Sequence, residues 1–200
     1  MRPTCFRCRR PNAFCVCADL RPIASATRVV LLQHPREARL AICSAWLTRL
    51  ALENAELHRG VRFEAHLRVR EIAAASGTAL LYPGLGAIPA DPAAAPATLV
   101  VIDGTWPQSE RMLRDNPSLA ALPRIGLAPG VESGYGGLRR EPGPDRFSTI
   151  EAVALALGAL ERDRARFAPM VAAFRRAVAV QLDCARGPRR NPRHHAERPG

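Results

Sequence analysis

The sequence predicts an α/β fold built on a mainly parallel sheet. Two observations carry this prediction. Short apolar runs rich in β-branched residues alternate along the chain with segments whose apolar residues recur at helical spacing. In addition, 48% of the 200 residues are hydrophobic, and the chain contains no internal repeat. A chain of this length and composition is typical of one globular domain.

The first half of the chain predicts three strands and two helices. The apolar run over residues 29–32 is typical of a buried strand, and Pro35 ends it. Leu40, Trp46 and Leu47 recur at helical spacing. In order, we expect a strand over 27–33, a helix over 36–53, a short strand over 56–63, a helix over 67–75, a strand over 78–81 and a Pro- and Gly-rich surface loop over 84–97.

The second half predicts two strands and three helices. Pro107 suits the first turn of a helix, and Ser148 with Glu151 matches a capping box. In order, we expect a strand over 99–103, a helix over 107–115, a strand over 122–127, a long functional loop over 128–147, a helix from 148 to about 164, a helix over 167–183 and a disordered basic tail from 186 onward. We therefore divide the chain into residues 1–22, a cysteine-rich appendage; residues 23–184, the α/β domain; and residues 185–200, the tail.

Four cysteines are clustered near the start of the chain: Cys5, Cys8, Cys15 and Cys17. In a cytosolic protein such a cluster is more often a metal site than a pair of disulfides. Four thiolates satisfy tetrahedral Zn²⁺ and leave no open position, so we expect a structural zinc ion. A redox pair, or no special role, are the alternatives. We expect Cys43 and Cys184, which fall among apolar residues of predicted helices, to be core cysteines.

The chain is strongly basic, with a net charge of +11, and all of its Lys and Arg positions are Arg. Such an excess favours a polyanionic partner that is bound through its phosphates; a generally basic surface is the alternative. The first 20 residues contain no apolar signal segment, and no run is long enough to cross a membrane. We therefore expect a cytoplasmic, monomeric protein that binds nucleic acid, without a membrane or protein partner.

The turn Asp103-Gly104-Thr105-Trp106 follows a predicted buried strand directly. Open α/β sheets bind ligands at the carboxyl ends of their strands, so this position predicts a functional carboxylate. Asp103 is a candidate general base, with capping of the next helix as the alternative. Trp106 is a candidate stacking surface, with burial in the core as the alternative.

The same turn, the cysteines and three further segments occur in the order found in DTW-domain proteins, which the chain resembles over roughly residues 5 to 160. The segments are Leu32-Gln33-His34-Pro35-x-Glu37, Leu80-Leu81-Tyr82-Pro83-Gly84, and Tyr135-x-x-Leu138-Arg139-Arg140 with Ser148-Thr149-x-Glu151-Ala152. DTW-domain proteins are similar to tRNA-uridine aminocarboxypropyltransferases and are related to the SPOUT methyltransferases. The resemblance therefore implies a SPOUT-like knotted domain.

The resemblance also implies a reaction and its participants. The 3-amino-3-carboxypropyl group of S-adenosylmethionine would move to N3 of a uridine in tRNA, with Asp103 as general base and methylthioadenosine as the second product. The implied cofactor-binding residues are Leu81, Tyr82, Pro83, Gly104, Thr105, Trp106, Leu138, Arg139, Ser148, Thr149 and Glu151. The candidate RNA-binding residues are Arg9 and Arg10, which lie beside the cysteines, together with His34, Arg39 and Arg140. A purely structural role is the alternative for the cysteine segment and for His34.

The chain departs from the family pattern in one place. Family members usually carry a Thr-x-Arg-like triplet in the helix after the His-Pro segment, where this chain has Ser44-Ala45-Trp46. Arg39 or Arg49 would then replace the missing Arg. Two other functions stay open at this point: a SPOUT-like RNA methyltransferase, and a zinc-stabilised RNA-binding protein without catalytic activity.

Overall fold

The computed structural model describes residues 3–40, 42–127 and 147–186, which form an α/β fold around one parallel sheet. The strands are β1 (Arg28–Gln33), β2 (Ala55–Arg59), β3 (Thr78–Leu81), β4 (Ile88–Pro89), β5 (Thr98–Asp103) and β6 (Arg124–Gly126). The sheet order is β2-β1-β5-β3-β6-β4, and all pairings are parallel. The predicted fold class is therefore confirmed.

Helices cover both faces of the sheet, as a fully buried parallel sheet requires. The helices are α1 (Ser44–Ala51), α2 (Leu67–Ala74), α3 (Trp106–Arg114), α4 (Pro117–Ala120), α5 (Thr149–Leu160) and α6 (Arg164–Arg186). One core joins α1, α5, α6 and the cysteine segment to one face. A second core joins α2, α3 and α4 to the other face. Because side chains alternate along each strand, Val29 and Leu31 enter the first core, whereas Val30 and Leu32 enter the second.

The central strands agree with the sequence analysis because their apolar runs are continuous. Strand β3 has the bounds predicted for it, 78–81. Strands β1 and β5 were predicted over 27–33 and 99–103, and each begins one residue away from its predicted start. The helix predicted over 167–183 is longer at both ends. Arg162, with a φ of 54°, separates it from α5.

The helix predicted over 36–53 is wrong in extent. Residues Glu37–Arg39 form a single 3-10 turn, and the α-helix begins only at Ser44. Leu40 and Cys43 both have extended backbones, which interrupt the helical hydrogen bonds between these two elements. Leu40 is also exposed, so the apolar spacing from Leu40 to Trp46 crosses two separate elements.

Three short elements between residues 84 and 120 were not predicted. The loop expected over 84–97 contains the edge strand β4 and a 3-10 turn at Pro92–Ala94. Helix α4, only four residues long, follows α3. All three are too short to carry a periodic apolar pattern.

No described helix is both long enough and apolar enough to cross a lipid bilayer. The loop expected over 128–147 and the tail expected from 186 fall almost entirely outside the described residues. The implied knot depends on the path of that loop and stays a prediction, as do the boundaries at residues 22 and 184.

Candidate active site and metal centre

The candidate active site lies at the carboxyl edge of the sheet, where the central strands β1 and β5 end. Gln33 is the last residue of β1 and pairs in register with Asp103, the last residue of β5. The backbone N–H of His34 donates to the carbonyl of Asp103 at 2.8 Å, which extends this pairing by one residue. The parallel register thus places Gln33 and Asp103 side by side, although 70 positions separate them in the sequence.

The Asp103 carboxylate is buried, with 6% of the residue exposed, and it accepts side-chain hydrogen bonds from Gln33 and Thr149. Gln33 Nε2 donates to Oδ2 at 2.8 Å, and Thr149 Oγ1 donates to Oδ1 at 2.5 Å. The alternative that Asp103 caps the following helix is wrong, because Thr105 is the N-cap of α3. Asp103 instead joins β1, β5 and the first turn of α5.

Gln33 is fully buried and connects Asp103 to two further groups. Its Nε2 atom lies 2.9 Å from Cys43 Sγ, and its Oε1 atom accepts a bond from Arg59 Nε at 3.1 Å. Burial raises the pKa of the Cys43 thiol, which favours its neutral form. Cys43 is half-buried at the N-cap of α1, not inside a helix as predicted, and the side chain of Cys184 is outside the described set. The sequence analysis assigned no role to Gln33 or Arg59, although Gln33 lies in the segment from Leu32 to Glu37 that the chain shares with DTW-domain proteins.

Thr149 is held against Asp103 by the capping box that begins α5. Ser148 Oγ donates to Glu151 Oε2 at 2.7 Å, and the backbone N–H of Ser148 donates to the same oxygen at 3.1 Å. The backbone N–H of Glu151 donates back to Ser148 Oγ at 3.3 Å. The predicted capping box is confirmed. Ser148 and Glu151 are both buried, so their contacts fix the first turn of α5 and the position of the Thr149 hydroxyl.

Two aromatic residues lie beside the strand ends that carry Asp103 and Leu81. Tyr82 and Trp106 form an edge-to-face pair with ring centroids 5.7 Å apart. Both rings are half-buried rather than sealed in the core, so each offers surface to a ligand. The Arg124 guanidinium lies 5.6 Å from the Tyr82 ring, and burial raises the pKa of the Tyr82 hydroxyl.

Gly104 lets the chain turn closely over the start of α3. A Cβ atom at this position would lie 3.2 Å from Gln108 Cβ and 3.3 Å from Ser109 Oγ, tighter than ordinary packing. Gln108 Oε1 accepts the backbone N–H of Thr105 at 2.8 Å, which completes the start of this helix. Thr105 and Pro83 are exposed near the aromatic pair, whereas Leu81 is buried in the first core.

The predicted RNA-binding residues occupy different environments. Arg9 and Arg39 are exposed and line one cleft, together with Arg59 and Trp46. His34 is half-buried, and its Nδ1 atom accepts the backbone N–H of Arg36 at 3.2 Å. Leu138, Arg139 and Arg140 lie outside the described residues.

Arg10 is only 5% exposed. Its Nε atom donates to the Phe14 carbonyl at 3.0 Å, and its Nη2 atom donates to the Ala177 carbonyl in α6 at 3.2 Å. This placement favours an anchoring role for Arg10, between the cysteine segment and α6, over the predicted contact with RNA.

The four clustered cysteines have the spacing of a metal centre. Their sulfur atoms all lie within 4.8 Å of one another. The Cys5–Cys17 and Cys8–Cys15 sulfur pairs are both 3.7 Å apart. Tetrahedral zinc with bonds of about 2.3 Å places its sulfur ligands about 3.8 Å apart, so the donor set fits this ion.

The backbone around Cys5 favours a thiolate. Backbone hydrogen bonds from Cys8 and Arg7 lower the pKa of the Cys5 thiol to about 6. Metal binding requires deprotonated sulfur, which the lowered pKa of Cys5 favours, whereas burial raises the pKa of the Cys17 thiol. The same segment is part of the first core through Cys8, which is 4% exposed.

Comparison with known proteins gives one family and several relatives. A family model described as the DTW domain matches residues 2–182. A Drosophila melanogaster protein named tRNA-uridine aminocarboxypropyltransferase 2 is 35% identical over 170 residues, which cover 80% of this chain and 67% of that protein. The mouse protein of the same name is 34% identical, over 81% of this chain and 58% of its own length. An Arabidopsis thaliana protein named tRNA-uridine aminocarboxypropyltransferase A is 30% identical, over 81% of this chain and 74% of its own length. No solved structure matches the chain.

Proposed function

The chain belongs to the DTW-domain family, and from this membership we propose that it transfers the 3-amino-3-carboxypropyl group of S-adenosylmethionine to N3 of a uridine in tRNA. The observation that carries the proposal is the buried carboxylate of Asp103, which two side chains hold at the carboxyl edge of the sheet. The printed names of the relatives support the reaction type. The chain spans about two thirds or less of the fly and mouse relatives, so the substrate and products are part of the proposal.

Asp103 serves as the general base. The uridine N3–H is a weak acid, and N3 becomes a nucleophile when this proton leaves. The bonds from Gln33 and Thr149 hold the plane of the carboxylate, and a carboxylate is a group that can accept this proton. The carboxylate is therefore already oriented before the substrate binds and does not have to rearrange during the reaction.

S-adenosylmethionine would supply the carbon that its sulfonium activates, and methylthioadenosine would be the leaving group when the bond from that carbon to sulfur breaks. The residues around Asp103 fit such a molecule, because Tyr82 and Trp106 offer aromatic surface for an adenine ring. The backbone N–H groups at the start of α5 suit the carboxylate of its methionine part. We assign its binding to Leu81, Tyr82, Pro83, Gly104, Thr105, Trp106, Leu138, Arg139, Ser148, Thr149 and Glu151.

Zinc has a structural role in this proposal. Cys5, Cys8, Cys15 and Cys17 would use all four positions of a tetrahedral ion, so no position is left for a substrate. The ion would tie the cysteine segment to the first core, beside Arg9 and Arg39. Those two arginines, His34 and Arg140 are the proposed contacts to tRNA.

The identity of both products tests this function. The protein is incubated with unmodified tRNA and S-adenosylmethionine, and the nucleosides and small products are identified by chromatography with mass spectrometry. We expect 3-(3-amino-3-carboxypropyl)uridine together with methylthioadenosine. Methyluridine with S-adenosylhomocysteine would identify a methyltransferase instead. Binding of tRNA without either product would leave only an RNA-binding protein.

A further inference from the structure

A basic cleft lies between the cysteine segment, the 3-10 turn at Glu37–Arg39 and the start of α1. Its volume is about 620 Å³. Four arginines line it, namely Arg9, Arg10, Arg39 and Arg59, and none of its described lining residues is acidic. A concave surface with only positive charge favours an anionic occupant.

Trp46 forms one wall of the cleft, and the guanidinium groups of two of these arginines lie near its indole ring. The Arg9 guanidinium lies 3.8 Å from the centre of the indole ring, and the Arg59 guanidinium lies 5.9 Å from it. Both distances are within the range of about 6 Å in which a cation is attracted to an aromatic face. The indole N–H donates to the Arg7 carbonyl at 2.9 Å, which holds the ring against the cysteine segment.

Within the described part of the chain, no carboxylate neutralises the three exposed arginines of the cleft. Arg9, Arg39 and Arg59 are exposed there and form no ion pair with a described carboxylate. Elsewhere on the surface, Arg68 pairs with Glu56 at 3.0 Å and Arg176 pairs with Asp19 at 2.9 Å. The cleft therefore brings together three exposed arginines whose charge no described carboxylate neutralises.

The cleft is also linked to the candidate general base. Arg59 donates through Nε to Gln33 Oε1 at 3.1 Å, and Gln33 donates to Asp103 at 2.8 Å. Only these two hydrogen bonds separate an arginine of the cleft from the carboxylate. The remaining N–H groups of a guanidinium form a fork that matches two phosphate oxygens.

We propose that this cleft binds the phosphate of a nucleotide that flanks the target uridine, with Arg59 and Arg9 as its main contacts and Trp46 as the platform that orients them. The identification of the polyanion as tRNA rests on the proposed function. The charge and position of the cleft are observed independently of that function.

The test measures binding of fluorescently labelled, unmodified tRNA by anisotropy at several salt concentrations, without S-adenosylmethionine. We expect Arg59→Ala to weaken binding about 10-fold and to reduce the log–log salt slope by about one, because one phosphate contact is lost. Arg70→Ala is the matched control: it removes the same charge from exposed α2, whose buried residues pack on the opposite face of the sheet, and should leave the slope unchanged.

A second variant is needed because loss of Arg59 also removes its hydrogen bond to Gln33, which could itself change tRNA binding. Arg9 has a φ of 60°, a conformation that Asn adopts readily, so Arg9→Asn removes the guanidinium and keeps the turn. We expect it to weaken tRNA binding about 10-fold as well, with unchanged zinc content and melting temperature. Affinity for S-adenosylmethionine, measured by calorimetry, should be unchanged in both variants.

The cleft proposal is overturned if Arg59→Ala and Arg9→Asn weaken binding no more than Arg70→Ala, because general surface charge would then explain the affinity. This result is independent of the proposed function. A wild-type protein that forms the modified uridine while both variants bind tRNA normally would refute the cleft alone. Selective loss of binding in both variants, with no modified uridine from the wild type, would support the cleft and refute the transferase.

Discussion

At the scale of single residues, the site depends on how Asp103 is held. The carboxylate accepts donors from β1 and α5, so its orientation is set by two elements that are distant in sequence. Gln33 has no exposed surface and satisfies both ends of its amide, toward Asp103 and toward Arg59. A buried amide whose donor and acceptor are both used orients its neighbours more strictly than an exposed one.

Replacing Gln33 with Met tests this orientation, because the two side chains have similar size and Met cannot donate a hydrogen bond. We expect the free energy of unfolding to fall by about 1–3 kcal/mol, since a buried carboxylate oxygen loses its donor. We also expect the rate of transfer to fall at least ~10-fold, because the carboxylate is no longer fixed. Urea unfolding and single-turnover rates measure the two effects.

The control for this variant is Thr27→Val at the opposite edge of the sheet. Thr27 is buried, and its hydroxyl donates to the Pro96 carbonyl at 2.9 Å. Its loss should cost about 1 kcal/mol of stability without slowing transfer. Full activity of Gln33→Met, with only the stability loss seen for Thr27→Val, would show that Gln33 does not position the base.

At the scale of elements, the cysteine segment packs into the first core. Val16 and Leu20 are 1% exposed and belong to the same core as α5 and α6. Arg10 adds a hydrogen bond to the carbonyl of Ala177 in α6. A metal that closes this segment would therefore also stabilise one wall of the basic cleft.

Removal of one thiol ligand measures this contribution. We expect the wild-type protein to contain one zinc ion and Cys8→Ser to contain none, as measured by elemental mass spectrometry. With free zinc at about 100 times its dissociation constant, the lost binding lowers the free energy of unfolding by about 2.7 kcal/mol. Cys43→Ser is the control, because Cys43 lies outside the cluster and should keep the ion. Equal zinc content in Cys8→Ser and the wild type would refute the assignment.

Helix α1 explains where periodicity misled the sequence analysis. Apolar spacing predicted one long helix, but only part of that spacing reflects burial in the core. Leu47 is 2% exposed, whereas the centre of the Trp46 ring lies 3.8 Å from the Arg9 guanidinium and 5.9 Å from the Arg59 guanidinium in the cleft. An aromatic residue that lies against arginines at the surface produces the same sequence pattern as one that packs in the core.

At the scale of the whole molecule, the sheet could be predicted largely from local sequence. The continuous apolar runs of β1 and β5 identify buried parallel strands, and Asp103 marks the carboxyl end of β5, the edge at which such sheets bind ligands. Strand order could not be derived in this way. It depends on crossovers that place β5 between β1 and β3, and no local pattern reports them.

The candidate site, like the sheet, could be predicted only in those parts that have a local sequence signature. Asp103, the capping box of α5 and the cysteine cluster each have a local signature, and each lies where the sequence placed it. The contacts of Asp103 with Gln33 and Thr149 span 70 and 46 residues, so only the folded chain brings them together. The basic cleft has the same origin, because Arg9, Arg39 and Arg59 belong to three separate elements.

The central claim, that Asp103 removes the N3 proton, is tested most directly by the single-turnover rate of aminocarboxypropyl transfer in Asp103→Asn. The amide keeps the shape of the side chain but cannot accept the proton as a carboxylate does. We predict a rate reduced by about 10²- to 10⁴-fold, with tRNA and S-adenosylmethionine affinities within about 3-fold of the wild type. Asp115→Asn, at the C-cap of α3, is the control and should transfer normally. A wild-type rate in Asp103→Asn would contradict the account.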